Sequence, residues 1–350
     1  MSEETVVPNW LDNYVTFDVV VGLAYGDEAK GKIVNAMAKD PKNYYTHCLR
    51  FNGGSNAGHT VYVDGRKVVT HIIPTGVLHG LKGIIGGGCV LNVAEFFQEL
   101  EYLRTEGFDL TGKVFVAKNC HIVTDVHLAH DSVDVRIGTT RKGIGPCYQD
   151  KVGRDGIRAE EIPELRPYLI DIYEEFYKSP GEKNVLCEGA QAFWLDIDLG
   201  DYPFVTSSNT GVGALLNNGV SYTDIVRVTG VAKCYDTYVG AKKFHGKDPI
   251  FDRIQKVGNE YGATTGRPRQ CNTLNVDKLI RAITQSGTTE VHISKLDVLE
   301  QVNFFRFRYN DVEFDFDNVD SFRNELVRII DLETRVGKEC ITFSNSPETV

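Results

Sequence analysis

Short runs of apolar, β-branched residues recur along the chain, with amphipathic stretches between them. The clearest run is Phe17 to Gly22, whose length and valine content are typical of a buried parallel strand. Further runs predict core strands that end near Leu49 and Phe51 and that span 114–116, 185–186, 225–231 and 291–293. Apolar positions at helical spacing predict helices over 29–38, 164–178, 275–285 and 319–332.

Two local signals add detail to this pattern. Asp64-Gly65 lies between apolar runs at 61–63 and 67–72 and predicts a tight hairpin. Asn92 with Glu95 forms a capping box, which predicts a helix to about Thr105. Because strands alternate with helices, we expect an α/β fold with a mainly parallel central sheet. No stretch is typical of a linker, so we expect a single large domain over 1–350, with 1–15 as an N-terminal extension.

Composition narrows the possible classes of protein. The 350 residues are 42% hydrophobic and 25% charged, with a net charge of −10, which argues against broad nucleic-acid binding and leaves room for a small anionic ligand. The first ten residues lack the features of a signal peptide, and no apolar run is long enough to span a bilayer. Eight scattered cysteines without a C-x-x-C pair indicate reduced thiols. We therefore expect a cytoplasmic protein, in the host cytoplasm if it is viral, without a membrane partner.

The first chemical motif is a phosphate-loop pattern. Gly26 to Lys32 fits G-x-x-x-x-G-K after a predicted strand and before a predicted helix, although Ile33 stands where Ser or Thr is usual. Backbone N–H groups at such a helix start hold phosphate oxygens. Asp27 inside the loop is a candidate Mg²⁺ ligand or base, because an acidic residue there would otherwise repel a polyphosphate. The alternative interpretation is a charged, solvated turn.

Two further loops combine glycine with polar groups. Asn52 to Thr60 carries three glycines in six residues between predicted strands, which allows close approach to a ligand, and it contains His59. The segment 137–148, followed by 150–154, brings together hydroxyls, glycine amides and basic residues, a combination that suits a phosphomonoester. A structural histidine and an ordinary basic surface loop are the alternatives.

The remaining motifs follow later in the chain. Gln191 after Glu188-Gly189-Ala190 can read a base edge with both a donor and an acceptor. Arg267 and Arg269 beside threonines can bind a dicarboxylate in a forked geometry. Residues 294–297 (Ser-Lys-Leu-Asp) are similar to a guanine-reading N-K-x-D box, a weak signal when taken alone.

Taken in this order, the six segments resemble the adenylosuccinate synthetase family from about Val19 to Leu299. The motifs G-D-E-x-K-G-K, N-A-G-H-T, I-G-T-T-x-x-G-I-G-P, E-G-A-Q, Y-P-x-V-T-S-S-N, T-T-G-R and K-L-D-V-L carry the resemblance. It implies an enzyme, a C–N ligase of the 6.3.4 type. Such an enzyme uses Mg²⁺ and a nucleoside triphosphate to join L-aspartate to C6 of a purine nucleotide.

The resemblance also implies catalytic roles. Asp27 would remove the purine N1 proton and bind Mg²⁺, with the Gly58 carbonyl as a second metal ligand. His59 would donate to the oxygens of the transferring phosphoryl group. Lys30 and the phosphate loop would stabilise the γ-phosphoryl group.

Binding roles follow from the same resemblance. The residues that would hold the nucleoside monophosphate are Ser55, Asn56, Thr139, Thr140, Arg154, Gln191, Thr206 and Val239. Arg154 would act on the nucleotide of the neighbouring subunit, which implies a homodimer. The residues that would bind aspartate are Thr264, Thr265, Arg267 and Arg269. The residues that would bind the triphosphate are Gly26, Glu28, Ala29, Lys30, Gly31, His59, Thr60, Lys295 and Asp297.

Several positions depart from the usual family pattern. Ala29 replaces a glycine, and Ser55 replaces a histidine. Lys242 and Lys243 replace the expected Gly-Pro, and Pro268 and Gln270 interrupt the usual run of arginines. Together with the compact length, these departures are most similar to the bacteriophage branch, which condenses aspartate with dGMP using ATP. Its product, 2-amino-2′-deoxy-N6-succinyladenylate, is a precursor of 2-aminoadenine DNA. We expect Ser55, or a backbone carbonyl near it, to accept a hydrogen bond from the guanine 2-amino group.

Other functions remain open from the sequence. The nearest alternative is the ordinary family reaction of IMP, aspartate and GTP in AMP biosynthesis. Lys295 and Asp297 favour GTP, whereas the branch resemblance favours ATP. A GTPase switch would explain the phosphate loop and the K-x-D segment alone. A catalytically dead paralogue is disfavoured because Asp27, Lys30 and His59 are all present.

Overall fold

A computed structural model describes residues 14–133, 137–262 and 266–345 of the chain. The strands within these residues are β1 (Val15–Gly22), β2 (His47–Arg50), β3 (His59–Val63), β4 (Arg66–Thr70), β5 (Lys82–Ile85), β6 (Val90–Leu91), β7 (Val114–Ala117), β8 (His121–Ile122), β9 (Leu169–Ile170), β10 (Lys183–Glu188), β11 (Ile225–Lys233), β12 (Asp236–Tyr238), β13 (Gln270–Asn272), β14 (Leu274–Asn275), β15 (Glu290–Ser294), β16 (Arg306–Tyr309), β17 (Val312–Asp315) and β18 (Ile341–Phe343). The α-helices are α1 (Lys30–Lys39), α2 (Val93–Thr105), α3 (Asp125–Val133), α4 (Ile144–Gly153), α5 (Val212–Leu216), α6 (Ile250–Val257), α7 (Val276–Gln285), α8 (Leu296–Val302) and α9 (Val319–Glu333).

A nine-stranded sheet forms the centre of the described structure. Its strand order is β18-β15-β11-β1-β10-β2-β5-β7-β9, and every neighbouring pair is parallel. β1 is central, with Val19 paired with Cys187 of β10 and with Val228 of β11. The expected α/β fold with a mainly parallel sheet is confirmed.

The apolar run in β1 is explained by burial on both faces of the sheet. Val20 packs with Ile33 and Val34 of α1 on one face. Val19 and Val21 pack on the other face in a cluster that includes Leu49. Helices cover both faces, so a central strand without polar alternation is the expected result.

Most of the predicted elements are confirmed. β3 and β4 form an antiparallel hairpin in which Val61 pairs with Val68, and its turn residues Asp64 and Gly65 both have positive φ. The Asn92 side chain accepts the Glu95 amide at the start of α2, which ends at Thr105 as expected. The predicted helices over 275–285 and 319–332 correspond to α7 and α9.

The continuous helix predicted over 164–178 is wrong. A 3₁₀-helix spans Pro163–Tyr168, β9 follows, and a single π-helical turn spans Glu174–Lys178. Pro167 removes a backbone donor near the start of the stretch. Leu169 and Ile170 instead pair with β7 at the edge of the sheet.

Other expectations concern the whole chain. Val15 belongs to β1, so the predicted extension over 1–15 overlaps the fold at its end, and residues 1–13 lie outside the described residues. That 1–350 form a single domain stays a prediction. All eight cysteines lie in described segments and are unpaired. Within those segments, no helix is both long and apolar enough to cross a bilayer.

The candidate chemistry collects at the carboxyl edge of the sheet. β1 leads into the phosphate loop, β2 into the loop before His59, and β10 into the segment ending at Gln191. β15 ends immediately before Lys295. Because parallel strands present their carboxyl ends at the same edge, residues far apart in sequence meet there, which is where α/β proteins bind ligands.

Candidate active site

A cavity of about 500 Å³ lies at this edge. It brings together most of the residues assigned from the sequence, from all four proposed roles. Those that line it are Gly26, Asp27, Ala29, Lys30, Gly31, Asn56, Gly58, His59, Thr60, Thr139, Thr140, Gln191, Thr206, Val239, Arg267, Arg269 and Lys295. Asp27 and His59 therefore face the same space.

The phosphate loop adopts a strained backbone. Gly26, Asp27 and Ala29 all have positive φ, at 92°, 58° and 78°. Ala29 precedes α1 and provides no side-chain cap, which leaves the Lys30 and Gly31 amides for a ligand, whereas the Lys32 amide donates to the Ala29 carbonyl at 3.0 Å. A glycine would adopt the φ of Ala29 without steric cost, which explains why glycine is the usual residue at this position.

Glu28 supports the loop from inside. Its Oε1 accepts the Gly26 amide at 2.7 Å, and its Oε2 pairs with Lys30 Nζ at 2.7 Å. The Glu28 side chain is buried and does not line the cavity. Only its backbone is left for the predicted contact with a triphosphate, whereas Lys30 lines the cavity beside the loop.

His59 is held by a buried carboxylate. Its Nδ1 contacts Glu188 Oε1, and Arg50 lies 3.3 Å from the same nitrogen. Glu188 also accepts the amide and the hydroxyl of Thr75 at 2.7 and 2.8 Å. An ionised carboxylate only accepts hydrogen bonds, so it requires the proton on Nδ1 of His59.

Charge in this cluster favours an ionised glutamate. Burial alone would raise the pKa of Glu188, but His59, Arg50 and the Thr75 amide lower it to about 2. Burial lowers the pKa of His59, and Glu188 opposes that change. A neutral His59 that donates through Nδ1 presents a lone pair at Nε2, so Nε2 must bind a proton before it can donate to a phosphoryl oxygen. Glu188 stabilises the cation that then forms.

Asp27 is paired with a predicted aspartate-binding residue. Arg269 Nε donates to Asp27 Oδ2 at 2.9 Å, and the NH1 group of Arg269 donates to Glu260 at 2.5 Å. The Asp27 side chain is one-third exposed, whereas Glu260 is fully buried. The candidate base and the candidate amino-acid site therefore share one guanidinium group.

Gln191 presents an unsatisfied amide to the cavity. It has a positive φ of 56°, and its buried Oε1 has no hydrogen-bond partner among the described residues. A Cβ on Gly53 would lie 2.9 Å from this oxygen, so glycine at position 53 gives the amide its space. Buried acceptors without a partner are uncommon in folded proteins, so this oxygen is a candidate to accept a hydrogen bond from a ligand.

The cavity is more basic than the protein. Its described lining has four permanent cations, Lys30, Arg267, Arg269 and Lys295, and two carboxylates, Asp27 and Asp131. The whole chain carries a net charge of −10. Local excess of positive charge suits phosphate groups and a dicarboxylate.

Ser55 is not brought to the cavity. It is buried, and its hydroxyl donates to Glu95, which also pairs with Lys142. The structure therefore does not place the Ser55 side chain where a purine amino group would meet it. The backbone carbonyls of the same loop remain as candidates, because Asn56 and Gly58 line the cavity.

Of four other assigned residues, two do not line this cavity and two lie outside the described residues. Arg154 is exposed, has a positive φ of 69° and does not line the cavity of its own chain. Asp297 lies in the first turn of α8 and is also absent from the lining. Thr264 and Thr265 lie outside the described residues.

Asp297 interacts electrostatically with Lys32, the lysine of the phosphate-loop pattern. Burial lowers the pKa of Lys32 to about 8, and Asp297 opposes this effect. Lys32 Nζ donates to Ser344 Oγ at 2.9 Å, just beyond β18. Lys30, not Lys32, is the lysine of this loop that lines the cavity.

Sequence reasoning missed three residues of the site. Glu188 stands in the recognised E-G-A-Q segment, and its position at the end of a strand was an available signal. Asp131 lines the cavity and accepts the Gly143 amide at 2.9 Å, and Glu260 anchors Arg269. Nothing distinctive in the surrounding sequence marks Asp131 or Glu260.

The donor set at Asp27 fits Mg²⁺. The Asp27 carboxylate and the Gly58 carbonyl line the same cavity, and no cluster of three or more metal-binding side chains occurs in the described segments. Mg²⁺ uses one or two carboxylates and takes its other oxygens from substrate phosphates and water. When bound, it would neutralise phosphate charge.

The fold and the cavity define an α/β enzyme with a phosphate loop at the carboxyl edge of a parallel sheet. A family model described as adenylosuccinate synthetase matches residues 19–166 and 159–307. The chain is 38% identical over 335 residues to an adenylosuccinate synthetase from Thermodesulfovibrio yellowstonii, covering 81% of this chain and 78% of the relative. For the enzyme from Helicobacter hepaticus, the identity is 34% over 373 residues, covering 89% and 88%.

Solved structures agree with these sequence relatives. The fully ligated adenylosuccinate synthetase from Plasmodium falciparum is 26% identical, has a TM-score of 0.80 and covers 96% of this chain and 98% of its own. The cyanophage S-2L succinoaminodeoxyadenylate synthetase, bound to dGMP and dATP, is 20% identical with a TM-score of 0.71, covers 96% and 94%, and shows the same fold. The chain belongs to the adenylosuccinate synthetase family and is a C–N ligase.

Proposed function

We propose that this enzyme joins L-aspartate to C6 of dGMP through a 6-phosphoryl intermediate, with ATP as the phosphoryl donor and Mg²⁺ as the metal. The observation that carries the ligation chemistry is the meeting of Asp27, His59 and the phosphate loop around one cavity. The product would be 2-amino-2′-deoxy-N6-succinyladenylate.

The arrangement supports a two-step reaction. Asp27 takes the N1 proton, which makes O6 nucleophilic enough to attack the γ-phosphorus, and the bond to the β-phosphate oxygen breaks to release ADP. The loop amides, Lys30 and a protonated His59 stabilise the transferring phosphoryl group. The amine of aspartate then displaces phosphate from C6, with the carboxylates of aspartate held by Arg267 and Arg269.

The choice of dGMP rests on the similarity of the departures at Ala29, Ser55 and Lys242 to the bacteriophage branch, and of these three residues Ala29 lines the cavity. The alternative acceptor is IMP with GTP, which the names of the sequence relatives favour. Guanine brings a 2-amino donor, and leaving it unpaired costs about 1–3 kcal/mol. We assign its acceptor to a backbone carbonyl of the loop over 55–58.

A product assay tests both the class of reaction and the acceptor. The protein is incubated with aspartate, Mg²⁺ and each pairing of dGMP, GMP or IMP with ATP or GTP, and the succinyl product is identified by mass. We expect the highest kcat/KM with dGMP and ATP. Equal use of dGMP and IMP, or use of IMP alone, would contradict the dGMP assignment and leave the ligase class intact.

The catalytic assignment is tested by Asp27→Asn and His59→Asn. Each variant should lose turnover while still binding the purine nucleotide in a calorimetric titration, because Asp27→Asn removes the base, His59→Asn removes the donor to the phosphoryl group, and neither removes the pocket. Asp64→Asn, at an exposed hairpin turn, is the matched control and should keep wild-type turnover. Wild-type-like turnover from Asp27→Asn or His59→Asn would remove that residue from the mechanism.

A homodimer completes the phosphate site in this proposal. Arg154 is exposed at the end of α4 and does not reach its own cavity. Exposed Val126 and Val133 lie on α3, exposed Val152 lies on α4 close to Arg154 in sequence, and a second copy would cover these apolar side chains. Arg154 of each subunit would then bind the nucleotide phosphate of the other.

Subunit mixing tests the shared site. Arg154→Ala and Asp27→Asn homodimers should each be inactive. A mixed dimer would contain one intact site, so equal mixing should restore about a quarter of wild-type activity. Absence of any recovery, with subunit exchange demonstrated by native mass spectrometry, would place Arg154 outside the partner's site.

A further inference from the structure

A buried ion-pair network lies behind the cavity wall and ends on Asp27. Glu260 Oε2 accepts from Lys233 Nζ at 2.9 Å and from the NH1 group of Arg269 at 2.5 Å. Glu260 Oε1 accepts the Tyr235 hydroxyl at 2.6 Å. The Arg269 Nε donates in turn to Asp27 Oδ2 at 2.9 Å. The guanidinium of Arg269 therefore bridges a hidden carboxylate and the candidate base.

Glu260 cannot touch a substrate from this position. Its side chain is 0% exposed, that of Lys233 is 2% exposed, and neither residue lines the cavity. Burial would raise the pKa of Glu260, but Lys233 and Arg269 lower it to about 2. The carboxylate is therefore charged under working conditions, and any role in the reaction must act through Arg269.

The geometry holds Arg269 at two points. The Arg269 amide donates to the Glu260 carbonyl at 2.9 Å, so backbone and side chain meet the same residue. A planar guanidinium that serves two carboxylates cannot rotate away from one without losing its alignment with the other. Lys233 also donates to Thr237, a cavity-lining residue, at 3.0 Å, which extends the network along the wall.

We propose that Glu260 is a positioning residue that fixes the Asp27 carboxylate through Arg269, and that this link couples the aspartate site to the proton-transfer step. The proposal rests on the proposed function, in which Asp27 takes the purine N1 proton. A carboxylate of substrate aspartate competes with Asp27 for the same guanidinium. Binding of aspartate at the amino-acid site therefore changes how Arg269 holds the Asp27 carboxylate.

The test separates the first half of the reaction from the second. In the absence of aspartate, phosphorylation of the purine is followed by positional isotope exchange in ¹⁸O-labelled triphosphate. We expect Glu260→Gln to lower this exchange and kcat by roughly 10–100-fold, the size of effect typical of outer-shell groups, with the KM for the purine nucleotide little changed. Added aspartate should alter the exchange rate in the wild type and have little effect in the variant.

A second variant distinguishes a loss of positioning from a simple loss of stability. Glu260→Gln leaves Lys233 buried without a carboxylate, which destabilises a protein strongly, whereas the double variant Lys233→Gln/Glu260→Gln removes both buried charges. We expect the double variant to recover thermal stability and to keep the low exchange rate. Glu175→Gln, which cuts an ion pair with Lys82 and His47 away from the cavity, is the matched control and should keep the wild-type exchange rate.

Two results would overturn the proposal. One is wild-type exchange in Glu260→Gln, and the other is joint recovery of stability and exchange in the double variant, which would make the role of Glu260 structural only. Failure of the proposed function looks different, because the wild type itself would then form no succinyl product from any purine monophosphate.

Discussion

Glu188 holds the ring of His59, which in the proposed function donates to the transferring phosphoryl group. It is fully buried, and it contacts Nδ1 of a ring that lines the cavity. Glu188→Gln would keep the shape and remove the charge that stabilises a protonated ring. We expect kcat to fall by about 10–100-fold with a small change in KM, because orienting partners of catalytic groups act in this range.

The control for this change is another Glu–His pair in the same chain. Glu175 contacts His47 at 2.9 Å outside the cavity, so Glu175→Gln should leave steady-state kinetics unaltered. Circular dichroism and thermal melting of both variants separate loss of function from loss of fold. An unchanged kcat in folded Glu188→Gln would show that His59 needs no carboxylate.

Sequence reasoning at the residue scale found groups in distinctive local patterns and missed their partners. His59 was located because glycines, asparagines and a serine surround it. Glu188 supports it from 129 positions away, and Arg269 meets Asp27 across 242 positions. A local pattern carries no information about such pairs, since the fold alone brings them together.

At the scale of elements, α1 packs unusually closely against β3. A Cβ on Gly31 would lie 2.8 Å from the Cβ of His59, so Gly31 sets the distance between the first helical turn and the histidine. We expect Gly31→Ala to displace His59, to lower kcat and to destabilise the protein by about 1–3 kcal/mol, as overpacking typically does. Urea unfolding and steady-state kinetics measure the two effects.

Gly213 provides the comparison for this substitution. It lies in α5, where an added Cβ meets nothing within 4 Å. Gly213→Ala should leave kcat unchanged and stabilise the protein slightly, because alanine loses less backbone entropy on folding. Equal effects of the two substitutions would show that contact with His59 is not the cause.

Elements with continuous or strictly periodic apolar patterns were predictable, and interrupted ones were not. The apolar residues of β1, α7 and α9 are buried together, so the hydrophobic pattern of each segment is enough to predict the element. The stretch over 164–178 failed because Pro167 and the pairing of β9 with β7 override a helical pattern. Pairing at a sheet edge depends on a distant strand, which local periodicity does not report.

At the scale of the whole molecule, Asp236 contributes to the pH dependence of folding stability. Burial raises its pKa from 3.8 to about 7, although the Asn275 amide donates to it at 3.1 Å. The folded protein therefore holds this proton more tightly than the unfolded chain. The resulting stability is fully present below the unfolded pKa and is lost as the pH rises through 7.

Asp236→Asn tests this linkage. We expect the free energy of unfolding of the variant, relative to the wild type, to increase by on the order of 2–4 kcal/mol between about pH 4 and pH 8.5. Urea unfolding at both pH values measures it, with exposed Asp64→Asn as the control. A difference that stays constant with pH would mean that Asp236 is ionised throughout.

The overall architecture followed from sequence because alternation of buried strands with helices leaves few alternatives. Strand order did not follow, since β1 lies between β10 and β11, which come more than 150 residues later. For the same reason, the way in which the loops assemble into the cavity could not be predicted. Its individual loops were recognisable, whereas the network through Lys233 and Glu260 required the assembled sheet.

The edge strand β18 has a consequence for biosynthesis. During translation, Ser344 leaves the ribosome 312 residues after Lys32, the residue it contacts. Until then β15 is an open edge of the sheet, and open edges template aggregation. A nascent chain stalled shortly before β18 would already contain every recognisable motif of the enzyme, yet its sheet would end at the five-residue strand β15, a longer template for edge pairing than the three-residue strand β18 of the finished protein.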